Sequence, residues 1–296
     1  MSPFLWEQHC CLPLTPDAEV AELARYPLGS YLSVNVGYSR QRTTDTLELL
    51  HAFRAAAVAD GRFRLVETLA DVGAPGAIAL AFDLEDAGPL GGDLDTEDTG
   101  LTAYGRDLVR VLNEVGVFVD GAHCSRRTGL DLAEHTDVPM IYSHANFAAL
   151  WEHPRNITDD QARACAATGG VIGINGVGIF LGRNRPEQAA ERVEAMADHI
   201  QYGAELVGIE HIGIGSDYSF DAADFNAELT ENPGAFSDAY TAWGPLQWTA
   251  PEELLGLDSV PGLDQVLAAR GFTPADLAAV FGGNFCRAAA KVWRER

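Results

Sequence analysis

Residues 77–85 read AIALAFDLE, an apolar run that ends on a carboxylate, and the same shape recurs in VFVDGAH (117–123), PMIYSHA (139–145) and HIGIGSDY (211–218). Each run is short, β-like, and closes on a side chain able to bind a metal: Glu85, His123, His144 and Asp217. A parallel barrel gathers the carboxyl ends of its strands around one mouth, so side chains distant in sequence can meet there on one ion. A hydrolytic metal site is the first expectation.

Working outward, further β-like runs fall at Phe4 to Cys10, Tyr31 to Gly37 and Val171 to Gly178, while Arg64 to Leu69 reads as a strand or a helix end. Helical patterns lie between them, near Thr44 to Asp60, Leu101 to Val115, Arg126 to His135, Asp159 to Thr168 and Glu187 to Val207. Strand and helix alternating in this way predict βαβ units and a parallel sheet. The expected fold is an α/β barrel of the (β/α)8 TIM type, one domain over residues 1–296, with one strand and helix unit shortened or missing. Residues 219–260 show neither period and carry Trp243 and Trp248, so this stretch reads as an ordered lid or interface segment. Three helices are expected to close the chain, at Gly262 to Arg270, Thr273 to Val280 and Asn284 to Arg294.

Composition narrows the partners. With 43 acidic residues against 20 basic ones the formal charge is -23, and Lys291 is the single lysine. Such a surface repels phosphate backbones and anionic lipid, which argues against nucleic acid and membrane partners. Cys10, Cys11, Cys124, Cys165 and Cys286 form no CxxC pair, which favours a reducing compartment, and the cytoplasm is the expected location. The opening MSPFLWEQHCCLPL lacks the basic region of a secretory signal, and no run approaches the roughly 18 apolar residues of a membrane span.

Each candidate residue admits a plain structural reading beside a chemical one. His123 and His144 either cap the helices that follow or bind a metal, and two histidines ending successive strands favour the ligand. Glu85 is either a solvated strand exit beside Asp83 and Asp86 or a carboxylate that bridges two ions. Asp217 could cap a helix, ligate a metal or take a proton from bound water. His9 and Cys11 alternate along the first strand, so they face one way and could both bind zinc, whereas Cys10 packs inside. The histidines at 51, 135, 153, 199 and 211 fall on helix surfaces, loops or a strand start and carry no assigned chemistry.

The series WEQHCCLPL, FDLEDAGPLGG, GLTAYGRDLVRVLNEVGVFVDGAHCS, PMIYSHAN, HPRNITDD, GIEHIGIGSDY and FGGNFCR, in order from Trp6 to Arg287, resembles the membrane (renal) dipeptidases, zinc peptidases among the amidohydrolase-like barrels. The resemblance implies that His123 and His144 bind one zinc, that Glu85 bridges two, and that His9 serves the other. It also implies that Asp217 is the catalytic acid/base and that Arg155 of HPRN binds the substrate's carboxylate. The implied reaction is hydrolysis of a dipeptide by a metal-bound hydroxide, often with a D-residue at the carboxyl end, commonly in a homodimer. Arg155 suits its part chemically, since a guanidinium offers a planar fork to a carboxylate.

Two departures are visible. Cys11 stands where the family carries an aspartate ligand, so either the thiol substitutes or one zinc is weak or absent. A softer thiolate leaves the metal less acidic. Only Thr96, Glu97 and Asp98 join AGPLGGDLD to TGLTAYG, where the family carries a further helix and strand. These departures keep two other readings open: a mononuclear hydrolase of another small amide or a lactone, and a catalytically silent homologue that binds a small molecule.

Overall fold

The computed structural model describes residues 4–38, 41–85, 88, 98–257 and 260–294. Its strands are Trp6–Cys11 (β1), Tyr31–Tyr38 (β2), Phe63–Leu65 (β3), Ile78–Glu85 (β4), Ile141–Tyr142 (β5), Val171–Ile174 (β6), Ile212–Ile214 (β7) and Tyr218–Ser219 (β8). They form one sheet in the order β3-β4-β2-β1-β7-β6-β5, with β8 paired to β1. Every ladder between named strands is parallel. Beyond β5, Asp120 makes an isolated parallel bridge to Ile141.

The helices are Thr43–Ala59 (α1), Ala103–Val115 (α2), Arg126–His135 (α3), Asp159–Ala167 (α4), Gly178–Leu181 (α5), Ala189–Val207 (α6), Ala222–Glu231 (α7), Asp238–Thr241 (α8), Pro251–Leu254 (α9), Leu263–Ala269 (α10), Pro274–Ala278 (α11) and Asn284–Val292 (α12). Local chemistry sets several ends. The Thr102 side chain accepts from Gly105 N at the start of α2, and Gly116 closes that helix at φ 80°. Ser125 caps α3 by accepting from Thr128 N.

The sheet interior is apolar, with Ile172, Ile174, Ile212 and Ile214 fully buried. An aromatic plug fills the amino end of the barrel: Trp6 stacks on Tyr31 at 3.9 Å and on Phe285 at 6.0 Å. The opposite, carboxyl end of the strands is thereby left for polar side chains. Strands approach closely there, because a Cβ on Gly215 would lie 1.8 Å from the Ser143 carbonyl oxygen.

Among the described residues, no ladder joins β4 to the segment around Asp120. Side chains span that side instead, where Glu85 meets His123. The junction residues Thr96 and Glu97 lie outside the described residues. The fold is a TIM-type α/β barrel whose sheet has this seam.

Several expected elements are shorter. The strand expected over Val117 to His123 is reduced to the single bridge at Asp120, because the chain turns at His123, whose φ is 61°. Pro139 to Ala145 contracts to β5, and Val171 to Gly178 stops at Ile174 because Gly178 opens α5. The run His211 to Tyr218 splits into β7 and β8 around Asp217, whose φ is 57°. Arg64 to Leu69 divides into β3 and a 3-10 turn at Leu69–Asp71. The unpatterned stretch 219–260 contains α7, α8 and α9; α7 buries only Leu229, too little to print a helical period. The helix expected at Thr273 to Val280 ends at Ala278 and runs through a π turn, Ala279–Gly283, into α12. No described helix is long and apolar enough to cross a membrane.

Candidate metal centre

Strand ends bring the expected residues together. His9 lies where the β1–β2 register slips between Glu7 and Cys10, a bulge of the kind that re-aims side chains near active sites. Its Nε2 is 3.5 Å from Cys11 Sγ, 3.6 Å from Glu85 Oε2 and 3.7 Å from Asp217 Oδ1. His144 stacks on the His9 ring at 4.0 Å and points Nε2 at Glu85 Oε1, 3.7 Å away. His123 Nε2 touches Glu85 Oε1 and lies 3.1 Å from His144 Nε2. Two groups have donor atoms within 4.8 Å of one another, His9 with Cys11 and Asp217, and His9 with Glu85 and His144. His9 is common to both.

A second ring of residues, not singled out in the sequence, orients these donors. Asp83 Oδ1 lies 3.0 Å from His9 Nδ1, and Ser33 Oγ donates to Asp83 Oδ2 at 2.6 Å. Asn35 Nδ2 donates to Glu85 Oε2 at 2.7 Å, and Asn175 Nδ2 to Asp217 Oδ2 at 2.9 Å. Ser143 Oγ sits 2.7 Å from His144 Nδ1. Such partners fix ring orientation and leave Nε2 directed inward. Strand alternation could have found Asp83, two residues before Glu85 on the same face.

Burial and neighbouring charge act against each other here. Burial opposes the charged form of Glu85, yet His123 and His9 hold its carboxyl well below the usual range. Burial, and then His9, push His144 well below the ordinary imidazole value. Burial raises Asp217 despite the attraction of His9, and Glu85 adds to the rise. Burial pushes the Cys11 thiol up to about 12, although His9 pulls the other way.

This donor set fits a divalent ion. Imidazole nitrogens, carboxylate oxygens and a thiol are the ligand types of zinc, and a cation among buried carboxylates supplies the charge they lack. Asp120 also serves the frame, since its Oδ1 accepts from Ala122 N at 2.9 Å and Ser143 N at 3.0 Å.

Arg155 is buried beside the cluster. Its Nη2 donates to the His144 carbonyl at 3.4 Å, its guanidinium lies 5.4 Å from the Phe180 ring centre, and its Nε has no partner among the described residues. His153, given no role from the sequence, holds it in place: Nδ1 accepts from Arg155 N at 3.1 Å while Nε2 lies 3.1 Å from the Ala239 carbonyl in α8. His199 also departs from expectation. It is buried rather than on a helix surface, and Nδ1 accepts from Phe147 N at 3.1 Å.

A cavity of about 310 Å³ lies over the cluster. Cys11, Glu85, His123 and Asp217 line one side, and Asp224 and Phe225 of α7 line the other.

A parallel sheet wrapped by helices, with histidines and carboxylates meeting at its strand ends, defines a TIM-type barrel with a candidate metal centre. The chain belongs to the membrane dipeptidase family (peptidase family M19), whose family model matches residues 85–238, just over half of the chain. It is 29% identical over 218 residues to an uncharacterized Klebsiella pneumoniae protein encoded 5′ of pqqA, covering 74% of this chain and 70% of that one. A Pseudomonas aeruginosa amidohydrolase structure is similar with TM-score 0.81 at 19% identity, covering 99% of this chain and 97% of the other. A Rhodobacter sphaeroides metallo peptidase, solved with a phosphinate mimic of the dipeptide L-Ala-D-Ala, is similar with TM-score 0.73 at 18% identity, covering 99% and 100%. Three relatives named as dipeptidases, from Schizosaccharomyces pombe, Clonostachys rogersoniana and Aspergillus oryzae, are matched over 29 to 38% of their own length.

Proposed function

We propose that this chain is a zinc-dependent dipeptidase. The observation that carries the reading is the convergence of His9, Cys11, Glu85, His123, His144 and Asp217 on one point at the barrel mouth. His123, His144 and Glu85 would hold one ion, and His9, Cys11 and Glu85 a second. The chemistry zinc supplies in such a donor set is Lewis acidity toward a carbonyl oxygen and a bound water acidified to about pKa 7.

The chain's own residues do the rest. Asp217, steadied by Asn175, takes the proton of the attacking water and passes it to the leaving amine. Arg155 receives the substrate's terminal carboxylate, which restricts the site to short peptides. Stretch 219–260 acts as a lid, since α7 and α8 reach the cavity through Phe225 and Tyr240. The dipeptide mimic bound to the Rhodobacter relative supports a dipeptide with a D-residue at its carboxyl end. A homodimer and cytoplasmic residence complete the reading, on the family resemblance and on the cysteine usage.

The Cys11 thiol favours a second reading, a mononuclear hydrolase of another small amide or a lactone, because burial resists the thiolate that a second ion needs. The test is zinc content per chain together with hydrolysis of L-Ala-L-Ala, L-Ala-D-Ala and a lactone panel. Two ions and dipeptide turnover are expected. One ion with turnover only on other amides or lactones selects the mononuclear reading, and fully loaded protein inert on every substrate defeats both.

A further inference from the structure

A second cavity, of about 330 Å³, adjoins the candidate centre at His123, which lines both spaces. It lies between the start of α3 and the loop 148–158. Arg155 lines this cavity and not the one beneath the lid. That arginine is only 4% exposed, and its Nε has no partner among the described residues. A guanidinium carries five donors, and a buried one left incomplete calls for a planar acceptor.

We propose that the residue on the carboxyl side of the scissile bond places its side chain in this second cavity, which selects neutral, largely apolar side chains of leucine size. The inference rests on the dipeptidase reading, with Arg155 as the carboxylate anchor. Once a carboxylate sits on Arg155, the side chain on the adjacent α-carbon must enter one cavity or the other. The lid cavity is lined by Glu85, Asp217, Asp221, Asp224 and Glu228 and by no lysine or arginine among the described residues, which suits the free amino end. The two ends of a zwitterionic dipeptide therefore sort by charge, and the carboxyl-side residue faces the Arg155 cavity.

The walls set the selection. Ala148, Cys124, Pro154 and Ile157 supply apolar surface. Apart from Arg155, which the carboxylate engages, the arginine and carboxylate side chains of the wall are two exposed residues, Arg126, which is paired with Asp160, and Glu152. A charged side chain would lose its hydration here without gaining a buried partner. The volume is near the lower limit of small-ligand pockets, enough for a branched aliphatic side chain beside the carboxylate.

Ala148→Trp fills the cavity from its wall, and Ala148→Leu is the milder variant should the first fail to fold. The measurement is kcat/KM for Ala-Gly, Ala-Leu, Ala-Lys and Leu-Gly in wild type and variant. Expected are a wild-type preference for Ala-Leu over Ala-Lys and a fall of about tenfold in the Ala-Leu to Ala-Gly ratio on filling. The Leu-Gly to Ala-Gly ratio should hold. An unchanged Ala-Leu ratio, or an equal fall in both ratios, overturns the assignment while leaving the dipeptidase reading intact. A wild type that hydrolyses none of the four defeats both.

Discussion

His123 and Asp217 share a backbone property found in no other described non-glycine residue: both lie at positive φ, 61° and 57°, and both aim their side chains at the candidate metal centre. Left-handed backbone costs an L-residue about 1–2 kcal/mol, and such strain concentrates at functional sites. Asp217→Gly removes that cost and the proposed acid/base together. We expect a melting temperature equal to or above wild type and a kcat lowered by about 10²–10⁴-fold. Thermal unfolding and turnover measured on the same preparation check this, and retained turnover removes Asp217 from the proton path.

The Cys11 thiol bears on metal loading. Burial holds its proton up to about 12, so an ion bound through sulfur must displace that proton. Zinc affinity should therefore rise with pH, and Cys11→Asp should lessen the slope by about one proton. Equilibrium dialysis at pH 6 and pH 8 reads this directly. Identical slopes would exclude Cys11 from the ligand set. Treatment with a chelator should abolish turnover, and added zinc should restore it.

His153 joins α8 to Arg155 through its two ring nitrogens. His153→Ala leaves the Arg155 N–H and the Ala239 carbonyl without this partner, at a cost of about 1–3 kcal/mol. We expect a raised KM for dipeptides with a smaller effect on their carboxyl-terminal amides, which lack the carboxylate proposed to sit on Arg155. Equal loss on both substrates would show that His153 serves the fold alone.

His199 gives an acid-stability signature away from the metal. Burial lowers its pKa from 6.5 to about 3 in the folded chain. Between these values the unfolded chain binds the extra proton, so stability is full above about pH 6.5 and declines as pH falls toward 3. The slope is about 1.4 kcal/mol per pH unit. His199→Gln keeps an acceptor for Phe147 N but does not titrate. Its melting temperature should fall less than that of wild type between pH 7 and pH 5, and parallel curves would contradict the assignment.

What could be read in advance follows from how locally each feature is encoded. Glu85, His123, His144 and Asp217 end apolar runs, and a barrel converts that one-dimensional pattern into proximity, so their convergence was legible. His9 and Cys11 followed from alternation, and they do face one another. Strand lengths were not legible, because the turns at His123 and Asp217 depend on contacts between segments rather than on turn residues. His153 and Asn175 were missed for a related reason. Their partners, Ala239 and Asp217, lie far along the chain.

The seam between β4 and the Asp120 segment would give a bound metal a mechanical part. Glu85 lies on one rim and His123 on the other, with no backbone ladder between them among the described residues. An ion held by both would act as a rivet on the side of β4 where its pairing partner β3 reaches only Leu80. Deuterium uptake along residues 78–85 and 117–123 should then rise on chelation before any other part of the barrel loosens. If that prediction holds, removing the metal would loosen this side of the sheet in the same event that silences the site.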